Sequence, residues 1–486
     1  MVGTVQASGV ATDDDTSTPD AVNALEDAQE AVSTKTPEDA QDQLADDSGQ
    51  DATMALTSLW RQRGELNESD KAQAAKVLAR PSASKRICNT AQKVCVHYGS
   101  STTTAWAKKT LAVVAHVSKT YVKAGYRRPV GDGSTGGKTN YMDVYLKDVA
   151  SQGYYGYCVP DQQKAGPKGS HVATAYCVLD NDYSSTQYPS NTPLQNLKVT
   201  AAHEYFHSVQ FAYDYNEDTW LMEGTAVWAE DQLYTNINDN LQYLPYGQLK
   251  RPRTSLDKTT TFGVYGNWIF FRYLTEHFKS KKGSLPSLIL GIWRRADSSR
   301  GSSHDQYSVQ AISKTLAARG SSLKKMYAAF TEANHHPKVS YREGKANNYP
   351  IARITGQTKL SKSKKKASGS FKVAHLASAS ERVNRGSLSG GWSLKVRVKL
   401  AKPTVSVAKV TVYRAGHPHV RSVKLNKHGA GSVVVGFGAS VTKVEITLVN
   451  TGHGFKKCGN DTAYACGGKP TTGHLKEAWS TKLVRS

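Results

Sequence analysis

The chain reads as an α+β protein: a mixed helical and stranded part to about residue 350, then an all-β part. Three observations predict this. Apolar residues recur at helical spacing in several long segments, of which 105–124 is the clearest, while two short segments, 142–146 and 173–179, alternate as strands do. Beyond residue 372 the apolar period switches to two, with Gly-rich punctuation at the spacing of a β-sandwich. The six cysteines fall in three local pairs, Cys88 with Cys95, Cys158 with Cys177 and Cys458 with Cys466, and none makes C-x-x-C. Three disulfides are therefore expected, and with them an oxidising, extracellular setting.

Taken in order, residues 1–56 hold thirteen acidic residues against one lysine and almost no aromatics, so a disordered tail is expected there. Residues 57–87 continue a helical pattern that begins near Asp51 and ends at L-A-R-P, a candidate N-terminal helical unit or prosegment. A folded core domain is expected over 88–350. It opens with the amphipathic helix 105–124, which carries Trp106, Val113, Val114, Val117 and Tyr121 inward and stops at Gly125. The two strands follow, joined by a loop bounded by cysteines. After a second helical region come the apolar helix of TFGVYGNWIFFRYLTEHF and two more helices, near 285–296 and 306–333. The Ser/Lys-rich stretch 351–372 reads as a basic linker, and 373–486 as an accessory sandwich.

The chemistry sits between residues 192 and 231. His203, Glu204 and His207 form H-E-x-x-H, and on a helix residues i and i+4 leave the same face. Thr192, Pro193 and Gln195 supply a capping box with proline at the first turn. Two imidazoles aimed at one locus can hold a zinc ion, one per chain, with Glu204 beside them as general base and acid. A second helix, WLMEGTAVWAEDQL, is capped by Asp218 or Thr219 and places Glu223 and Glu230 two turns apart along nearly one face. Carboxylates among tryptophans and alanines are costly unless a cation meets them. Glu223 is thus the candidate third metal ligand, and Glu230 a candidate partner that orients a ligating imidazole. Tyr265, at the start of the apolar helix, is the candidate donor to a developing oxyanion.

H-E-Y-F-H followed by W-L-M-E-G-T-A-V-W-A-E resembles the gluzincin metallopeptidases, in particular the W-L-x-E-G helix of the aminopeptidase N group. That resemblance implies a zincin-like catalytic domain, a twisted sheet over an active-site helix with a mostly helical lower half. It also implies zinc on His203, His207 and Glu223, with Glu230 as the later glutamate of the same helix. The metzincin pattern is absent, since its glycine and third histidine would fall at Gln210 and Tyr213. Fifteen residues separate His207 from Glu223, a tighter connection than those gluzincins use, and the exopeptidase G-x-M-E-N pattern is missing. The resemblance therefore implies a metallopeptidase without implying an aminopeptidase. The CVHYG, DVYL, YGYC and YCVLDND blocks resemble secreted zinc peptidases of bacteria.

Lys and Arg number 63 against 40 acidic residues, a formal net charge of +23. The charge is split: residues 1–56 carry −12, and residues 351–486 hold 25 Lys and Arg against four acids, +21. An anionic cell-surface polymer is the expected partner of such a basic module, besides a peptide or protein substrate. No nucleic-acid motif appears, and no apolar run reaches the length of a membrane span. Residues 1–11 lack the basic start of a signal segment, so no signal peptide is read there. The rival reading is a non-catalytic surface-binding protein on a metallopeptidase-like scaffold, against which an intact Glu204 argues.

Overall fold

Five strands and the helices beneath them position the candidate site. The computed structural model describes residues 16–35, 52–137, 139–388, 391–414 and 418–485. Strands β1 (Lys85–Asn89) and β2 (Val94–Tyr98) form a hairpin joined by the Cys88–Cys95 disulfide. Helix α4 (Thr104–Lys123) follows, with Val113, Val114, Val117 and Tyr121 buried and Gly125 ending it at φ +88°. Three helices precede these strands: α1 (Pro19–Val32), α2 (Ala52–Gln62) and α3 (Glu68–Val77).

Strands β3 (Met142–Lys147), β4 (Gly156–Gln163) and β5 (Ala173–Asp180) complete a sheet of order β1-β2-β3-β5-β4. β2, β3 and β5 are parallel, whereas β4 lies antiparallel to β5 at the edge. β4 corrects the expectation of a loop between the two central strands. Its YGYCVPDQQ sequence has little alternation and a central proline, which only an edge strand with an irregular register tolerates. The Cys158–Cys177 disulfide joins directly opposed residues of β4 and β5.

Beneath the sheet run α5 (Pro193–Phe211) and α6 (Thr219–Leu233). The capping box on α5 is made as the sequence predicts: Thr192 N–H donates to Gln195 Oε1 at 3.0 Å, and Gln195 N–H returns to the Thr192 hydroxyl. Asp218 stands at the N-cap of α6 without a capping bond, its carboxylate being engaged by Cys466 N–H and the Ser308 hydroxyl. Gly224 is required by packing, because a Cβ there would meet the Phe271 ring at 2.8 Å. The helical lower half adds α7 (Trp268–His277), α8 (Ser287–Trp293), α9 (Ser308–Ala317) and α10 (Leu323–Ala333). The last two, expected as one helix, are separated at Gly320, which takes φ +70°. Trp220, Trp228, Trp268 and Trp293 are all fully buried in this core.

The C-terminal part is a two-sheet sandwich. One sheet has the order β11 (Pro418–Ser422), β10 (Ser406–Arg414), β13 (Val441–Asn450), β8 (Ala377–Arg385), β6 (Gly356–Leu360). The other has β12 (Ala430–Gly436), β9 (Trp392–Lys399), β14 (His474–Arg485), β7 (Lys366–Ala374). The expected linker 351–372 is thereby corrected, since β6 and the first half of β7 lie within it. Its lysines and serines occupy the solvent side of paired strands, whose backbone bonds go to β8 and β14. The sandwich is docked on the lower half through buried polar contacts. Ser380 Oγ lies 2.8 Å from His335 Nε2, the Thr411 hydroxyl donates to Glu332 at 2.8 Å, and Leu256 N–H donates to Leu376 O at 2.9 Å. Cys458 and Cys466 close a loop that returns to the lower half, with Ala465 N–H bonded to Asp257.

The expected disordered tail is corrected as well. Residues 19–32 are helical because Thr18 caps them, Pro19 starts them, and Ala21, Ala24, Leu25, Ala28 and Ala31 form a continuous buried face. That face meets Ala52, Ala55, Leu56 and Leu59 of α2, and together they cover Tyr145, Val159, Tyr176 and Val178 of the sheet. Residues 1–15 and 36–51 lie outside the described residues. Among the described residues no helix is long and apolar enough to cross a membrane.

Candidate metal centre

α5 and α6 cross so that His203, His207 and Glu223 bring ligand atoms within 4.8 Å of one another, all three buried. Glu223 Oε2 is 3.1 Å from His203 Nε2, and its Oε1 is 3.5 Å from His207 Nε2. Each imidazole is turned to this point by a bond at its other nitrogen. His203 Nδ1 is 2.6 Å from Glu230 Oε1. His207 Nδ1 is 2.7 Å from Gln210 Oε1. The Gln210 amide has no freedom to flip, because its NH₂ donates to Met222 O at 2.9 Å and to the Thr225 hydroxyl at 3.1 Å. Its oxygen must therefore accept, Nδ1 of His207 must donate, and Nε2 faces the centre.

The electrostatics follow from burial. Loss of solvent opposes charge on His203, but Glu223 and Glu230 on its two nitrogens carry its pKa well above the ordinary value. Burial opposes the His207 cation too, and Glu223 still raises it. Burial would push Glu223 up, yet the two imidazoles hold it down at about 2. Glu230 is pushed up to about 7 by burial, against the pull of His203. Within this centre two ligand atoms, 3.5 Å apart, are buried without a hydrogen-bond partner: His207 Nε2 and Glu223 Oε1. A polar atom in that condition is costly, and the donor set, two imidazoles and one carboxylate, is one that zinc takes.

Glu204 is 5% exposed, and its Oε2 accepts from the Thr53 hydroxyl of α2 at 3.3 Å. The Cys158–Cys177 disulfide packs on its carbonyl, so the edge of the sheet sits directly over the H-E-x-x-H turn. Tyr265 lies on a single helical turn, Gly263–Gly266, with its ring 6.3 Å from the His203 ring and stacked at 5.1 Å on Tyr243. All six residues named for the site from the sequence thus come together: His203, Glu204, His207, Glu223, Glu230 and Tyr265.

Sequence reasoning missed three features. Gln210 has no role in the sequence reading, although its i+3 spacing from His207 allows the bond. Thr53 comes from a distant helix and carries no local signal. A cavity of about 410 Å³ beside the N-terminus of α6 is lined by Asp214, Glu217, Asp218, Asp305 and Asp461, together with Arg61 of α2. Burial first, and neighbouring carboxylates after it, push Glu217 up, and burial likewise carries Asp218 and Asp305 to about 7. A second convergent group, Cys95, His97 and Asp143, loses its thiol to the Cys88 disulfide, and Asp143 already pairs with His97 and Arg80 at 2.7 Å each.

No family model matches the chain, and no curated protein matches it. Several solved structures match over about a quarter of its length. The periplasmic inhibitor of g-type lysozyme PliG from Aeromonas hydrophila is 12% identical, covering 27% of this chain and 98% of that one at a TM-score of 0.18. The pre-peptidase C-terminal domain of collagenase from Bacillus anthracis is 6% identical, covering 27% and 97% at a TM-score of 0.17.

Proposed function

We propose that this chain is a secreted zinc-dependent peptidase of gluzincin type, with a zincin-like catalytic domain and an accessory sandwich. One observation carries the reading: two imidazole nitrogens and a carboxylate converge at one buried point, where His207 Nε2 and Glu223 Oε1 face each other at 3.5 Å and neither has a hydrogen-bond partner. His203, His207 and Glu223 would hold the ion. Zinc bound there supplies Lewis acidity, which acidifies a water and polarises a scissile carbonyl. Glu204, one residue along α5 from His203, takes the proton from the attacking water and returns it to the leaving amine. Glu230 fixes the His203 ring, and Gln210 the His207 ring, so that neither imidazole has to reorganise. The Tyr265 phenol, beside the His203 ring, donates to the oxygen that gains charge. The antiparallel edge strand β4 lies above Glu204, and its outer edge, engaged by α2 in the intact chain, is where an extended peptide would add as a further strand. The three disulfides suit an extracellular setting.

The test is metal content of the purified chain, followed by a peptide-library cleavage screen with and without a chelator. One zinc per chain and cleavage that stops on chelation and returns with zinc are expected. Absence of zinc after growth in zinc-replete medium would refute the reading.

A second reading concerns the sandwich, and a specific observation favours it. Lys366, Lys482 and Lys395 stand directly opposite one another on three adjacent strands, β7, β14 and β9. Like charges in register are destabilising, so such a ladder is retained for an external anion. We propose an anionic cell-surface polymer as its partner, rather than nucleic acid.

A further inference from the structure

The N-terminal helices do more than cover the sheet. The Thr53 hydroxyl of α2 donates to Glu204 Oε2 and also accepts the Cys158 N–H of β4 at 3.0 Å. One turn of chain further along β4, the Trp60 indole N–H donates to Asp161 O at 3.2 Å, and its ring meets Tyr215 edge-on at 4.7 Å. These are the outward-facing groups of the sheet's edge, the ones an added peptide strand would need. Beyond Trp60, Arg61 lines the acidic cavity, where its charge faces Asp214, Asp461 and Asp218. Ala55, Leu56 and Leu59 are fully buried against β4, β5 and α1.

From this we infer that α2 is an intramolecular competitor for the substrate cleft, so that the intact chain is the latent form of the enzyme. The inference rests on the peptidase reading above and adds its regulation. A helix suits the task. Its peptide groups are bonded within the helix, so it presents a hydroxyl rather than a scissile carbonyl to Glu204 and blocks the base without being cut. Its anchors copy what a substrate would offer: donors and acceptors to the β4 edge, an aromatic ring beside Tyr215, and a cation for the acidic cavity. Activation then requires that residues up to the end of α2 leave. The connection to α3 permits it, because Gly64 and Glu65 are exposed and a side chain at Gly64 would meet nothing within 4 Å. Arg80, which bonds Asp132, Asp143 and Asp161, stays with the enzyme.

The test places a site-specific protease sequence at Gly64–Glu65 of the full chain, which is folded, loaded with zinc, purified and then cut. Chelator-sensitive kcat/KM on a quenched peptide library should rise about 100-fold on release of the fragment, as expected for a helix docked ~99% of the time. Adding the fragment back should restore latency, and hydrogen exchange of the amides in β4 should speed up on release. Where the fragment stays bound after cutting, the same chain carrying Trp60→Ala frees it. A cut form that keeps its zinc, has lost residues 1–64 by mass, and is no faster than the intact chain overturns the inference while leaving the peptidase reading in place. Unchanged exchange in β4 after release overturns it too. Failure of both forms to cleave any peptide, with zinc bound and the fragment gone, overturns the peptidase reading and latency with it.

Discussion

Glu223 and Glu230 lie on one face of α6 and both touch His203, yet their substitution should have unequal consequences for zinc. Glu230 meets the far nitrogen, Nδ1, at 2.6 Å, whereas Glu223 stands at 3.1 Å and 3.5 Å from the two nitrogens that face the centre. Glu230→Gln keeps the shape and weakens one charge-assisted bond behind a ligand. Losses of that kind are roughly 10–100-fold in metal affinity, about 1.4–2.7 kcal/mol. Glu223→Ala removes a ligand. Taking roughly 10–16 kcal/mol for a four-ligand zinc site, one ligand accounts for about 2.5–4 kcal/mol, or ~10²–10³-fold. Glu223→Ala should therefore bind zinc about tenfold more weakly than Glu230→Gln. Competition against a fluorescent chelator at fixed pH measures both constants, with circular dichroism to confirm that each variant is folded. Equal losses would refute the division of roles. Zinc retained by a His203→Ala/His207→Ala double variant would place the metal elsewhere.

Glu204→Gln should keep its zinc and lose ~10²–10⁴-fold or more in turnover, since the amide cannot take a proton; single-turnover cleavage reads this, and undiminished rate would sink the mechanism. Tyr265→Phe should lower kcat with little change in KM if the phenol stabilises the developing oxyanion, and a pure KM effect would argue for a packing role. Asp305, carried to about 7 by burial and by Asp214, has a folded-state pKa above its unfolded value. Its contribution to stability is full below about pH 4 and is lost progressively as pH rises to about 7, so Asp305→Asn should raise Tm at pH 8 and leave it near the parent's only at about pH 4. The triple variant Lys366→Ser/Lys395→Ser/Lys482→Ser should elute from heparin at lower salt than the parent, with slightly higher Tm, because the three charges oppose one another across the sheet. Identical elution would remove the ladder as the polyanion site.

Local signals were enough for much of the site. The i,i+4 histidines, the capping box at Thr192 and the two-turn spacing of Glu223 and Glu230 are properties of helices, and helical geometry places those groups whatever lies around them. The three disulfides were legible because each pair is close along the chain, with separations of 7, 19 and 8 residues. The period-two runs marked β9, β10, β12 and β13, whose inward residues are large and apolar. β7 was misread because its Lys/Ser/Gly sequence alternates charge with small residues, and only hydrogen bonding to β14 makes it a strand.

Elsewhere the deciding partner lay far off in the chain. The acidic composition around residues 19–32 suggested disorder, but its buried alanine face is stabilised by α2 and the sheet, which no local window contains. β4 became the edge of the sheet through pairing with β5, and Thr53 reached Glu204 across 151 residues. Asp218, one of the two residues expected at the cap, does stand at the N-cap of α6, but its carboxylate makes no capping bond and receives the Cys466 N–H from 248 residues away. The amino-acid sequence by itself determined which side chains could form a metal centre, since helix periodicity is local. Tertiary packing alone decided what covers that centre, because contacts between distant segments depend on which surfaces are left to bury once the local elements exist.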